Sequence, residues 1–207
     1  MYAIVTEGNI TKTFNNPRRI TINNIRYSTK IYSLWTVAEK KAIGLYEVEY
    51  DNTNKKDEAW YINTNQTLAY DSSGDKVVAS YGTATARAIA DSLWTQQDSD
   101  DGDLPSDKEV GDVKVEGLKT VKKRMVDQQC AGILQPSDWL VIKAKETSTT
   151  MNSAWKTWRA AVRTKCNSMQ TQIDGAANVD ALAALFTYTE QEDGSVTRPL
   201  GEFPIKE

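Results

Sequence analysis

The sequence predicts an α+β fold: a small antiparallel β module at the N-terminal end, then an acidic linker, then a C-terminal helical hairpin or bundle. Three observations predict it. Short alternating apolar runs separated by turn formers fill positions 2–80. Helical periodicity takes over from Thr83. An acidic stretch carrying Gly102 and Pro105 interrupts the helical part. The chain accordingly divides into a β-rich module ending in a helix (1–97), a linker (98–115), a helical module (116–186) and an extended tail (187–207).

The elements follow in order. Strands are predicted at 2–5 and 10–14, around the turn-forming Thr6-Glu7-Gly8-Asn9. Strands at 20–22 and 25–27 flank Asn23-Asn24, a pair that tolerates the positive φ of a tight hairpin turn. Thr36 and Glu39 fit a capping box at the start of a short helix, and Gly44 stands where its C-cap would need a left-handed residue. Alternation resumes at 45–50, with further strands at 59–63, 66–70 and 76–81. Ala86, Ile89, Ala90, Leu93 and Trp94 share one helical face, so a helix is expected from Thr83 to the acidic stretch, which reads as a flexible linker.

A helix is then predicted at 118–134, with Leu118, Val121, Met125 and Ile133 on or near one face. Pro136-Ser137-Asp138 ends it and starts another, with Ser137 or Asp138 as the cap. The longest helical signal covers 151–173. Trp155, Trp158, Val162, Cys166, Met169 and Ile173 form a seam that packs on neighbouring helices or on a second copy of the chain. Asp174-Gly175 stops it, and a short helix at 179–186 precedes the polar tail.

Composition excludes several chemistries. The 207 residues carry a net charge of −3, so no global basic field attracts nucleic acid. No apolar run is long enough to span a membrane, and the N-terminus lacks the pattern of a secretory signal. With no histidine, the Ser-His-Asp and Cys-His systems and imidazole metal sites are impossible within the chain. Cys130 and Cys166 read as two small half-buried thiols, or as a helix-to-helix disulfide. No phosphate-binding glycine loop is present. The acidic stretch fails as a calcium loop. With Gly102 at position six, Lys108 falls at position twelve, where a bidentate glutamate is required. No catalytic, cofactor or metal site is therefore expected. Carboxylate-based glycan chemistry stays open, because the 28 acidic residues single out no pair.

Basic residues cluster at Lys119, Lys122, Lys123 and Arg124, with Lys143 and Lys145 beyond; this pattern reads as the solvated face of amphipathic helices. Trp60, Tyr61, Tyr70 and Tyr81 are core or contact residues. Asp138 is expected to cap a helix while Trp139 packs inward, with Trp155 and Trp158 locking a helical hairpin. Arg159 and Arg163, four apart, share a face that could meet acidic side chains.

Two stretches resemble known proteins. Asn24-Ile25-Arg26-Tyr27, followed by Leu34-Trp35-Thr36-Val37-Ala38-Glu39-Lys40-Lys41-Ala42-Ile43-Gly44-Leu45-Tyr46-Glu47-Val48, resembles an N-terminal module common in bacteriophage proteins. There a V-x-Y-P strand leads to a short helix and another strand; Ser28 replaces the usual proline. Leu134-Gln135-Pro136-Ser137-Asp138-Trp139, then Trp155-Lys156-Thr157-Trp158-Arg159-Ala160-Ala161-Val162-Arg163, resembles a signature of phage tail-fibre assembly chaperones and related tail-associated proteins. Trp158 stands for the usual tyrosine and Val162 for leucine.

The resemblance implies a non-enzymatic, tail-associated structural protein (a fibre, adaptor or fibre-attachment component). Its partners would be other phage tail or fibre proteins and copies of itself, with no nucleic acid and no membrane. Its place would be the virion tail, or the host cytoplasm during assembly. A dissociable tail-fibre chaperone is the alternative, and a glycan-binding or carboxylate-dependent hydrolase module the third reading. Trp139, Trp155, Trp158, Arg159 and Arg163 are the candidate partner-binding residues.

Overall fold

The computed structural model describes residues 1–206, and the chain is a mixed α/β protein. It divides into two compact units, 1–85 and 86–207.

In the first unit, β1 (Tyr2–Thr6) and β2 (Asn9–Phe14) form a hairpin. Glu7 and Gly8 both hold positive φ, the turn geometry that matches strand twist. β3 (Ile20–Ile22) and β4 (Ile25–Tyr27) form a second hairpin, with Asn23 and Asn24 at φ 49° and 63°. A single helical turn, α1 (Ile31–Leu34), precedes α2 (Val37–Ala42). Thr36 and Glu39 complete their reciprocal capping box on α2, and Gly44 follows it at φ 82°. Then come β5 (Leu45–Asp51), β6 (Tyr61–Ile62), β7 (Thr67–Asp71) and β8 (Lys76–Ser80).

Five of these strands make one sheet in the order β2-β1-β5-β8-β7. It is not wholly antiparallel, as the sequence suggested, because β8 lies parallel to β5. The β7–β8 hairpin places its second strand beside β5, so β5 connects to its parallel neighbour through β6 and β7 and not by a tight turn. The sheet curls, and its edge strands β2 and β7 approach one another.

Strand alternation then gives two cores. Ala3, Val5, Tyr46, Val48, Val77 and Ala79 fill one face, and Ile4, Leu45, Phe14, Ile20, Ile22 and Ile31 the other. Tyr70 packs edge-on to Tyr46, and both hydroxyls donate to Asp75 Oδ1 (3.0 and 2.7 Å). Trp60, Tyr61 and Tyr81 are half-buried, with Lys56 over the Tyr61 ring and Lys55 over Tyr81. They are not a bare aromatic surface.

In the second unit the helix expected from Thr83 is absent. Two-residue strands β9 (Thr85–Ala86), which starts on the last residue of the first unit and pairs with β6, and β10 (Ser92–Leu93) stand in its place, and a short α3 (Gln96–Asp100) follows. The reason lies in the backbone accounting. β11 (Val113–Val115) precedes α4 (Leu118–Leu134). The first amides of α4 need acceptors, and the carbonyls of Ala88 and Ile89 accept from Leu118 N and Lys119 N (2.9 and 3.0 Å). Asp91 accepts from Gly117 N (2.6 Å) and Thr120 Oγ1 (2.8 Å). These bonds tie 88–91 to α4 and stabilise its N-terminus.

The acidic stretch is likewise a folded excursion within the second unit. Thr95 and Asp98 form a capping box on α3, Asp98 pairs with Lys114 Nζ (2.5 Å), and β10 pairs with β11. The Lys114 bond first, and the Thr95 bonds second, hold the Asp98 carboxyl down to about 2.

A 3-10 turn (Gln135–Ser137) leads into α5 (Asp138–Glu146), followed by α6 (Ser153–Gly175) and α7 (Val179–Phe186). The tail forms a small hairpin, β12 (Thr189–Glu190) with β13 (Val196–Thr197). The core is the packed face of α4 and α6, closed by α7 and by Leu200 of the tail. On α4 the buried residues are Val126, Cys130 and Leu134, a different stripe from the one read off the sequence; Met125 is exposed. On α6 the expected seam is buried at Val162, Cys166, Met169 and Ile173, but Trp155 and Trp158 are only half-buried.

Cys130 and Cys166 are free, buried thiols brought together across α4 and α6. Burial first, then Cys130 and Asp127, push the Cys166 thiol up to about 12. The thiolate is the nucleophile, so the native protein is expected to alkylate at Cys166 about a hundredfold or more slowly than an exposed cysteine at pH 8. Mass spectrometry of iodoacetamide-treated native and denatured samples checks this; native labelling at the denatured rate would contradict the burial.

Candidate interaction surface

The five residues singled out by sequence all lie on α5 and α6, but the structure gives them different work.

Arg159 turns inward and is 5% exposed. Its guanidinium donates to the Leu134 carbonyl (2.8 Å), to Ser137 Oγ and to Asp138 Oδ1 (2.6 Å). It therefore satisfies the end of α4, the turn and the start of α5 at once, a cation at a helix C-terminus. Neither expected cap forms on α5: Ser137 Oγ donates to Leu134 O (2.8 Å) and Asp138 pairs with Arg159. Arg159 is a clamp between helices and leaves the partner-facing set.

Trp155 and Trp158 do not lock a helical hairpin. They pack edge to face at 5.6 Å, Trp158 Nε1 donates to the Pro204 carbonyl (2.9 Å), and Lys206 Nζ stands over the Trp155 ring. Lys165 Nζ also donates to the Leu200 carbonyl (2.8 Å). The tryptophans thus hold the tail along α6. The polar composition of the tail hid this role, since the contacts use its backbone carbonyls.

Trp139 does not pack inward. Helical phase puts Leu140 and Ala144 on the half-buried side of α5, so Trp139 falls outward and is 57% exposed. Val141 and Ile142 are exposed as well, and α5 buries none of its residues. Lys143 stands 5.7 Å from the Trp139 ring.

Beside this helix, between α5 and α6, lies a cleft of about 300 Å³ lined by Val141, Thr150, Met151, Lys156, Arg159 and Arg163. Asp138 neutralises Arg159. The side chains of Lys156 and Arg163 have no hydrogen-bond or ion-pair partner among the described residues. The other basic cluster is occupied internally: Lys119 and Lys123 reach Asp174, Arg124 reaches Glu116, and Lys122 covers Phe186.

Sequence reasoning missed Val141, Ile142 and Lys156; for the first two the signal available was the consecutive apolar run Trp139-Leu140-Val141-Ile142, too wide for one buried face of a helix. Among the described residues, no group of three or more acidic or sulfur side chains could hold a metal ion, and no helix is long and apolar enough to cross a membrane. No protein-family model matches the chain, and no curated protein or solved structure matches it.

Proposed function

We propose that this chain is a bacteriophage tail-associated structural protein, a fibre, adaptor or attachment component that works by protein–protein binding and carries out no catalysis. Its N-terminal β module and C-terminal helical module would serve as two docking parts, in the virion tail or in the host cytoplasm during assembly. One observation carries the binding role: α5 leaves Trp139, Val141 and Ile142 exposed, and Val141 lines a cleft with the uncommitted cations Lys156 and Arg163. Tryptophan and arginine are enriched at interface centres, where a few residues supply most of the affinity. The phage assignment rests on the two sequence resemblances.

Mass spectrometry of purified virions tests the structural role. Presence in mature particles is expected; absence there, with fibre proteins co-purifying from infected cells, would leave the dissociable tail-fibre chaperone. The Ser137–Asp138–Arg159 cluster favours that second reading, since it ties together the two halves of the chaperone-like motif. At the surface itself, Trp139→Ala is expected to weaken partner capture about tenfold or more. Its stability should stay within about 0.5 kcal/mol of the parent, as for other exposed positions. A pull-down from infected cells with both chains measures this, and equal capture would remove Trp139 from the interface.

A further inference from the structure

We infer that the cationic cleft and the exposed face of α5 receive the acidic excursion of a second copy of this chain, in a head-to-tail contact. The inference deepens the binding reading by naming the occupant.

The two surfaces are complementary in charge and in apolar content. The cleft offers Lys156 and Arg163 with Val141, and α5 adds exposed Lys143 and Lys145 together with exposed Trp139 and Ile142. The excursion between β10 and β11 offers Asp100, Asp101, Asp103 and Asp107, none paired with a cation among the described residues. Val110 within the excursion, and Leu93, Val113 and Val115 on the strands that bound it, are exposed. Each surface thus joins uncompensated charge of one sign to apolar side chains left in water, and each lacks within its own chain what the other supplies. Removing apolar area from water favours association, and opposite potentials fix its register and partner choice. The excursion is held for such a role, because the Asp98–Lys114 pair and the Thr95 capping box fix its base.

A surface that meets a different surface on its neighbour is heterologous, so it closes into a ring or propagates as a filament. Both outcomes suit a symmetric tail assembly.

The test uses the full chain in solution. Sedimentation velocity over a concentration series is expected to show self-association that weakens as added salt shortens the screening length. Lys156→Gln/Arg163→Gln and Asp100→Asn/Asp101→Asn/Asp103→Asn should each lower the association about tenfold or more, with unchanged thermal unfolding. Each variant keeps one intact surface, so an equal mixture should form a dimer that grows no further. Zero-length cross-linking of isotope-labelled and unlabelled chains should join Lys156 of one copy to the excursion carboxylates of another.

A parent chain that stays monomeric at the highest attainable concentration would overturn the inference, as would an oligomer indifferent to both variants. Failure of the two variants to pair would overturn the head-to-tail arrangement. A monomer that is still found in virions would sink this inference alone, and leave the tail reading standing.

Discussion

Arg159→Met is expected to destabilise the helical unit by about 3 kcal/mol, the range for removing one partner of a buried, hydrogen-bonded charge. Methionine keeps most of the apolar length of the side chain, so the loss reports the guanidinium. Three groups lose a donor together: the Leu134 carbonyl at the end of α4, which keeps its bond from Ser137 Oγ, then Ser137 Oγ itself, and Asp138 Oδ1. Ser137 is 1% exposed, so water cannot readily replace the missing bond there. Arg159→Lys should recover only part of the loss, because one ammonium cannot present the forked guanidinium geometry to acceptors on two helices and a turn. Arg163→Ala, one helical turn along and exposed, should leave the midpoint unchanged. Urea unfolding of the four proteins decides the matter; an Arg159→Met midpoint equal to that of Arg163→Ala would remove the clamp.

The second large effect belongs to the first unit. Gly44→Ala is expected to cost about 3 kcal/mol, combining the penalty of a left-handed L-residue with that of overpacking. Gly44 sits at φ 82°, between α2 and β5. A Cβ there would enter the Val5 carbonyl oxygen, and that oxygen cannot swing away. Val5 N donates to the Gly44 carbonyl (2.8 Å), and β1 shifts register between Ile4 and Val5. The chain segments are thus locked to each other where the collision would occur. Gly8→Ala is the control. Gly8 has nearly the same φ, 77°, but nothing within 4 Å of an added Cβ, so only the conformational part, about 1 kcal/mol, should appear. Thermal unfolding followed by circular dichroism measures both. Equal losses in the two variants would show that the approach to Val5 carries no strain.

Local chemistry by itself determined much of this protein. The turns at Glu7-Gly8 and Asn23-Asn24, the capping box at Thr36 and Glu39, the left-handed Gly44 and the helices at 118–134 and 179–186 were legible. The turns, the capping box and Gly44 depend on residues within one turn of each other, where side-chain and backbone groups meet whatever the rest of the chain does.

Tertiary structure decided the remainder. Ala86, Ile89, Ala90, Leu93 and Trp94 have helical spacing, yet the carbonyls of Ala88 and Ile89 serve the N-terminus of α4. The acidic stretch looked unstructured because its stabilising partner, Lys114, lies sixteen residues from Asp98. At the candidate surface, spacing put Trp139, Trp155, Trp158, Arg159 and Arg163 on helices but did not give their directions. Trp139 points outward, Arg159 inward, and Trp155 and Trp158 toward the tail. Spacing places a residue on a helix; which side faces the core depends on what the other helices bring to it. That depends on burial and on acceptors distant in sequence, which only the folded chain supplies.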